Sequence, residues 1–184
     1  RKSWPDYTKC HSCCGWNVGD SLMSKLQVET ISHTNNTTAQ TIDSTGRILT
    51  PARPSFKAKP SSSTSIAATN VIIFDDVTSA THGCHNIGGH YNTSTGIFTA
   101  PLAGVYVFSC CLYNNGSADA SIELFLGSQQ CGVIRLYADG TSYDSMNFTQ
   151  NILCASSDQV KFSVTDGTAY YNTNISSISG YLLG

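Results

Sequence analysis

Basic side chains almost vanish after residue 60 of this 184-residue chain. Only Arg135 and Lys161 remain there, against eight Asp and Glu. Nucleic-acid recognition needs a basic footprint, so this region is a poor candidate for it. Charge of either sign is scarce: 12% of residues are Asp, Glu, Lys or Arg, half the usual ~25%. No run approaches the ~18 apolar residues of a membrane span. Arg1-Lys2-Ser3-Trp4-Pro5 is not followed by an apolar core. No signal peptide is visible, and a processed N-terminus is expected. There is no nucleophile elbow, no phosphate loop and no pair of metal-ligand histidines on a helix, which leaves an enzyme as the least supported class. Internal repeats and Gly-X-Y collagen triplets are also missing.

Ser, Thr and Asn replace the missing charge, with 57 residues between them. That composition suits a β-rich extracellular protein. The even count of eight cysteines points the same way, toward an oxidising compartment and disulfides. Cys10, Cys13 and Cys14 lie near the N-terminus; Cys84, Cys110, Cys111, Cys131 and Cys154 lie further on. The bridge candidates are Cys10, Cys13, Cys14, Cys84, Cys131 and Cys154, and at least two of the later five are expected to pair, with Cys131 and Cys154 in the lead. The alternative is buried free thiols at Cys110 or Cys111. N-glycosylation sequons begin at Asn35, Asn36, Asn92, Asn115, Asn147 and Asn174.

Three regions follow from the pattern. Residues 1–19 form a cysteine-rich head. Residues 20–53 read as a short helix over 20–31, with Leu22 and Leu26 helically spaced, followed by a linker containing Asn35-Asn36-Thr37-Thr38 and Pro51 and running up to Pro54. From residue 54 short strands alternate with Gly, Asn and Asp turns. Strands are expected at 71–75, 96–100, 105–113, 121–126, 132–137, 145–153, 159–165 and 178–183. Gly127-Ser128 and Asp139-Gly140 mark hairpins, and Asp166-Gly167 marks the start of a polar loop running to Ser177. The number and spacing point to an all-β sandwich with jelly-roll closure.

Residues 91–108 carry the most information. Asn92-Thr93-Ser94-Thr95-Gly96 is a turn, Gly96 to Ala100 a short strand, and Pro101 a corner. Gly104 opens a strand with Tyr106, Phe108, Cys110 and Leu112 on one face and Val105, Val107, Ser109 and Cys111 on the other. Both faces are largely apolar, so both need cover. The spacing of Tyr91, Thr95-Gly96, Phe98, Pro101, Gly104, Tyr106 and Phe108 resembles the globular-head domain of complement C1q and the wider C1q/TNF superfamily. Pro54-Ser55-Phe56-Lys57-Ala58, Val71 to Val77, Asn86 to Tyr91 and Ser177 to Leu183 match further landmarks in the same order. Ile178 stands where the family usually has Phe, and Thr78 to His85 looks like an insertion. The resemblance spans about residues 54–184. It implies an all-β jelly-roll β-sandwich, a homotrimer and secretion. With a short Cys-Cys head and no collagen repeat, the chain resembles molluscan C1q-domain lectins. Such heads also often bind calcium through acidic loops, although the loop after Asp166 carries Asn172 and Asn174 in place of acids. No other cofactor is implied.

Candidate binding residues come from the side chains themselves. In Gly132 to Tyr137, Val133, Arg135 and Tyr137 share a face. A lone guanidinium in an acidic domain needs an anionic partner. Two readings stand: an internal partner, Glu123 or Asp139, or the carboxylate of an acidic sugar such as sialic acid, gripped bidentately. Tyr137 would stack on the sugar ring. Tyr113-Asn114 and Tyr170-Tyr171-Asn172 offer the same combination of flat apolar area and amide groups. These tyrosines equally fit core or trimer-axis positions. His82, Cys84, His85 and His90 match no tetrahedral metal spacing and read as loop residues. Three functions follow in order: a secreted innate-immune lectin for acidic or microbial glycans, an extracellular-fluid or matrix protein binding calcium or heavy metals, and a cytokine-like receptor ligand. The expected partners are glycans or glycoproteins and further copies of the chain, with no nucleic acid and no membrane insertion.

Overall fold

A computed structural model describes residues 28–36, 38–114, 118–137 and 144–183. Strands dominate it. A meander of β1 (Thr30–Ser32), β2 (Thr38–Ile42) and β3 (Ile48–Leu49) comes first. The sandwich follows: β4 (Ser55–Ala58), β5 (Thr64–Ala67), β6 (Asn70–Val71), β7 (His85–Ile87), β8 (Tyr91–Asn92), β9 (Ile97–Thr99), β10 (Gly104–Asn114), β11 (Ala120–Leu126), β12 (Gln129–Leu136), β13 (Asp144–Cys154), β14 (Gln159–Tyr171) and β15 (Ser177–Leu182). One sheet runs β13-β10-β15-β4-β7. The other runs β12-β11-β14-β9-β8, with β5 and β6 also pairing β14. All pairings are antiparallel.

The core fills the gap between these sheets. Tyr106, Phe108, Cys110 and Leu112 all point inward and are buried, as the alternation of β10 requires. Phe98 touches Phe56, Tyr106 and Phe108 at ring-centroid distances of 5.3–5.5 Å. Phe56 stacks on Tyr91 at 4.5 Å. The buried Tyr91 hydroxyl donates to the Phe74 carbonyl (2.9 Å) and accepts from its N–H (3.2 Å), so its polar end is satisfied. Burial pushes the Tyr91 phenol well above its ordinary range. Gly180 lets the aromatic layer close: a Cβ there would lie 2.7 Å from both Phe56 and Phe108.

Besides the strand expected at 71–75, of which only Val71 lies in a strand (β6), two sequence expectations change. Residues 30–49 were expected to end a helix and continue as linker. They form the meander instead, pinned by the Asp43 turn, where Oδ1 accepts from the Thr45 and Arg47 N–H groups and Oδ2 from the Arg47 guanidinium. The rest of the expected helix lies outside the described residues. The second change is at Asp166-Gly167. This dipeptide does not start a loop. Gly167 takes φ +68° against the Asp119 backbone, β14 bulges, and the strand continues to Tyr171 with β5 as its new partner. The Gly127-Ser128 hairpin is present between β11 and β12. Asp139-Gly140 lies outside the described residues.

Candidate functional site

Antiparallel connectivity gathers the candidate residues at one end of the sandwich. β10 runs up to Asn114, β12 up to Leu136 and β14 up to Tyr171, while β11, β13 and β15 start there. Tyr113, Asn114, Arg135, Tyr137, Tyr170 and Asn172 therefore belong to one rim. They are not equivalent on it. Arg135 is opposite Ser121 on the outer face of the larger sheet. It is exposed, and Tyr137 beside it is 71% exposed. Arg135 makes no ion pair among the described residues. Glu123, its suggested internal partner, pairs in register with Val133, a diagonal neighbour of Arg135 that no salt bridge joins to it. Asp139 lies outside the described residues.

The other loop candidates are partly committed elsewhere. Tyr170 is half-buried on strand β14, not on a loop, opposite Ser65. Tyr171 packs edge-on against Phe74 at 5.3 Å. Asn172 closes a turn: its Oδ1 accepts from the Asn174 N–H (2.9 Å), and its own N–H donates to the buried Ser176 hydroxyl (3.0 Å). Among the candidates whose side chains are described, Arg135 and Tyr137 are thus the pair with free surface; the side chains of Tyr113 and Asn114 lie outside the described ones.

The opposite outer face, on the five-stranded sheet, has a different chemistry. Its rows read Leu153–Val105, then Asn151–Val107–Tyr181–Ser55–Ile87, then Thr149–Ser109–Ser179–Lys57–His85. The lower end is apolar and open: Leu153 is 73% exposed, and Ile87 and Tyr181 are also exposed. Asn147, a sequon residue, is exposed further up the same face.

Residues 55–183 match the family profile of the C1q domain. The chain belongs to the C1q-domain family. Solved structures agree at the level of fold. The globular domain of zebrafish complement 1qA superposes with a TM-score of 0.57 at 14% identity, over 71% of this chain and 98% of that one. Eiger TNF from S. frugiperda gives 0.54 at 12% identity, over 72% and 94%. Murine APRIL gives 0.53 at 9% identity, over 71% and 99%. C1q/TNF proteins are non-enzymatic and typically trimerise, and C1q-family proteins are generally secreted. No helix among the described residues is long and apolar enough to cross a membrane.

Within this C1q domain the expected bridge between Cys131 and Cys154 is absent. Cys84, Cys110, Cys111, Cys131 and Cys154 are all unpaired thiols. Cys131 and Cys154 come from opposite sheets, and each sulfur turns to a carbonyl of its own strand, Gln129 and Ile152. Burial, with Asp158 and Cys131 nearby, pushes the Cys154 thiol up to about 11. Cys110 is a core residue, and burial drives its thiol pKa strongly upward. Cys10, Cys13 and Cys14 lie outside the described residues.

Metal chemistry finds no donor set among the described residues, where no three His, Cys, Asp or Glu side chains converge. The acidic calcium loop implied by the resemblance is not assembled there. His82 Nδ1 is within 2.9 Å of the Ser79 hydroxyl, and His85 Nδ1 within 3.0 Å of the Gly83 carbonyl. Asp76 holds the local turn by accepting from Thr78, and its carboxyl is lowered by that contact and by Lys59 at 3.4 Å. Of the sequons, Asn92 uses its Oδ1 in a turn with Ser94 and Thr95, and Asn174 is exposed. Asn36 has φ +65°. Asn115 lies outside the described residues.

Sequence reasoning missed that Arg135 and Lys161 share one sheet face. The phase of each residue on its own strand was legible. The insertion of β11 between β12 and β14 was not.

Proposed function

We propose that this C1q-domain protein is a secreted lectin of the innate-immune, pattern-recognition type, reading acidic glycans through the Arg135 rim. The observation that carries the reading is the exposed Arg135 guanidinium, which has no ion pair among the described residues and stands beside the exposed Tyr137. A guanidinium fork matches a sugar carboxylate bidentately, and the tyrosine supplies a stacking surface for the apolar side of the ring. Sialic acid has this combination of carboxylate and ring. The likeness to molluscan C1q-domain lectins supports the same reading. Single-site affinity in such open sites is on the order of millimolar, about −4 kcal/mol. Function then depends on a trimer that presents three sites, with the apolar end of the five-stranded face buried between copies. No metal takes part in this reading.

The test is binding of the parent, Arg135→Ala and Arg135→Lys to sialylated glycoprotein, with and without chelator. Arg135→Ala should lose binding and Arg135→Lys should restore only part of it, because a point charge does not reproduce the fork. Binding by Arg135→Ala equal to the parent would sink the proposal. Loss of binding in chelator would show that a metal is required.

A further inference from the structure

We infer that Lys161 and Phe125 form a second anion-and-sugar subsite, which makes the outer face of the larger sheet a track for an acidic oligosaccharide with two separated charges. The inference extends the Arg135 reading and rests on it for one end of the track. Phe125 and Lys161 are direct cross-strand neighbours on β11 and β14. The Lys161 ammonium sits 5.8 Å from the Phe125 ring centroid. A shallow groove of about 240 Å³ opens beside them, lined also by Thr69, Ser128, Ser163 and Thr165. An ammonium has three N–H donors. The ring face satisfies none of them as a hydrogen bond, and Lys161 has no ion pair among the described residues. Its donors point to a ligand anion, with hydroxyls on the groove walls and the accessible part of the ring available to a sugar.

The register sets the geometry of the track. Arg135 is opposite Ser121 and Lys161 opposite Phe125, on the two sides of β11. Four residues along a strand and two strand spacings across place their Cα atoms about 16 Å apart. Glu123 stands between them on the same face, opposite Ser163, and is half-exposed. Its carboxylate repels an anion at that point and accepts hydrogen bonds from sugar hydroxyls. Asp166, in register with Ser121, bounds the track beyond β11. The pattern is cation, carboxylate, cation. Its complement is a glycan in which a neutral sugar separates two acidic ones.

Hyaluronan oligosaccharides have that alternation and serve as the probe. The full chain is titrated with a tetrasaccharide, which has two carboxylates, and with a disaccharide, which has one. The parent should bind the tetrasaccharide at least about tenfold more tightly, the lower end expected for one charged hydrogen-bonded contact. Lys161→Gln should erase that advantage, Lys161→Arg should keep it, and Phe125→Leu should reduce it while all three melt like the parent. A Lys161→Gln protein that keeps the advantage overturns the inference, as does a parent that binds the tetrasaccharide no better than the disaccharide. Arg135→Gln separates the two readings. If it leaves tetrasaccharide binding intact while Lys161→Gln destroys it, the Lys161 subsite stands, and the Arg135 reading falls together with the two-cation track.

Discussion

The two outer faces of one sandwich have opposite characters. The larger sheet shows Arg135, Glu123, Phe125 and Lys161, with buried serines between strands. The five-stranded sheet shows Val105, Leu153, Tyr181 and Ile87 around the buried Val107 at its lower end, and small Ser and Thr side chains with Lys57 and His85 above. Both faces alternate with the same shared core, so folding alone does not explain the contrast. An apolar cluster left open on a sheet marks a contact surface. Under the proposed function this difference is a division of labour: one face for other copies of the chain, the other for glycans.

The largest effect should come from breaking the apolar face. Leu153→Asp places a charge opposite Val105 at the lower end, where burial between copies would be costly. Light scattering should show a trimer for the parent and a monomer for the variant, with an unchanged melting profile at low concentration. Binding to a sialylated surface should fall by roughly 10²–10⁴, the share due to avidity, while affinity for a soluble monovalent sugar stays the same. A parent that is itself monomeric at micromolar concentration refutes the assignment of this face.

Arg135→Ala should have the complementary effect. It leaves the oligomer intact and lowers monovalent affinity for a sialylated sugar by about 10- to 150-fold, from roughly 1.5–3 kcal/mol for a hydrogen bond to a charged group. Calorimetry on the soluble sugar reads this directly. If the variant also dissociates, the two faces are not independent.

A smaller effect is expected in the layer the faces share. Gly180→Ala forces a Cβ between Phe56 and Phe108, an overpacking that costs roughly 1–3 kcal/mol. Each kcal/mol corresponds to about 2–4 °C for a domain of this size, which thermal denaturation resolves. An unchanged melting temperature would mean that the aromatic layer yields freely.

The smallest effect concerns the meander. The Arg47 N–H, the Thr45 hydroxyl and the Arg47 guanidinium lower the Asp43 carboxyl from its ordinary 3.8 to about 2. A depressed folded-state pKa stabilises above the unfolded value and loses that contribution as pH falls through the folded one. The β2–β3 turn should therefore loosen between pH 4 and 2. Backbone amide shifts of Thr45 and Arg47 report it, and Asp43→Asn should remove the pH dependence. Shifts that stay flat over this range would show that the carboxylate does not hold the turn.

Local pattern alone made much of the molecule legible. The inward set of β10, the corner at Pro101, the Gly127-Ser128 hairpin and the sandwich class all follow from alternation and turn chemistry. The outward phase of Arg135 followed as well, because a strand has a period of two. Other features depended on partners distant in sequence. Gly167 looked like the start of a loop until Asp119 and β5 gave β14 somewhere to continue. The 30–49 segment looked like linker because its strands are short and its hydrophobic residues few. Cys131 and Cys154 looked like a bridge because sequence does not say which way a sulfur turns. The pairing of Lys161 with Phe125, and the placing of Arg135 two strands away on the same face, arose only when β11 entered between β12 and β14. Sequence by itself determined which residues point in or out on each strand, since that depends on backbone geometry. Tertiary structure decided which outward residues meet, since that depends on strand order, and strand order is set by burial of the whole core.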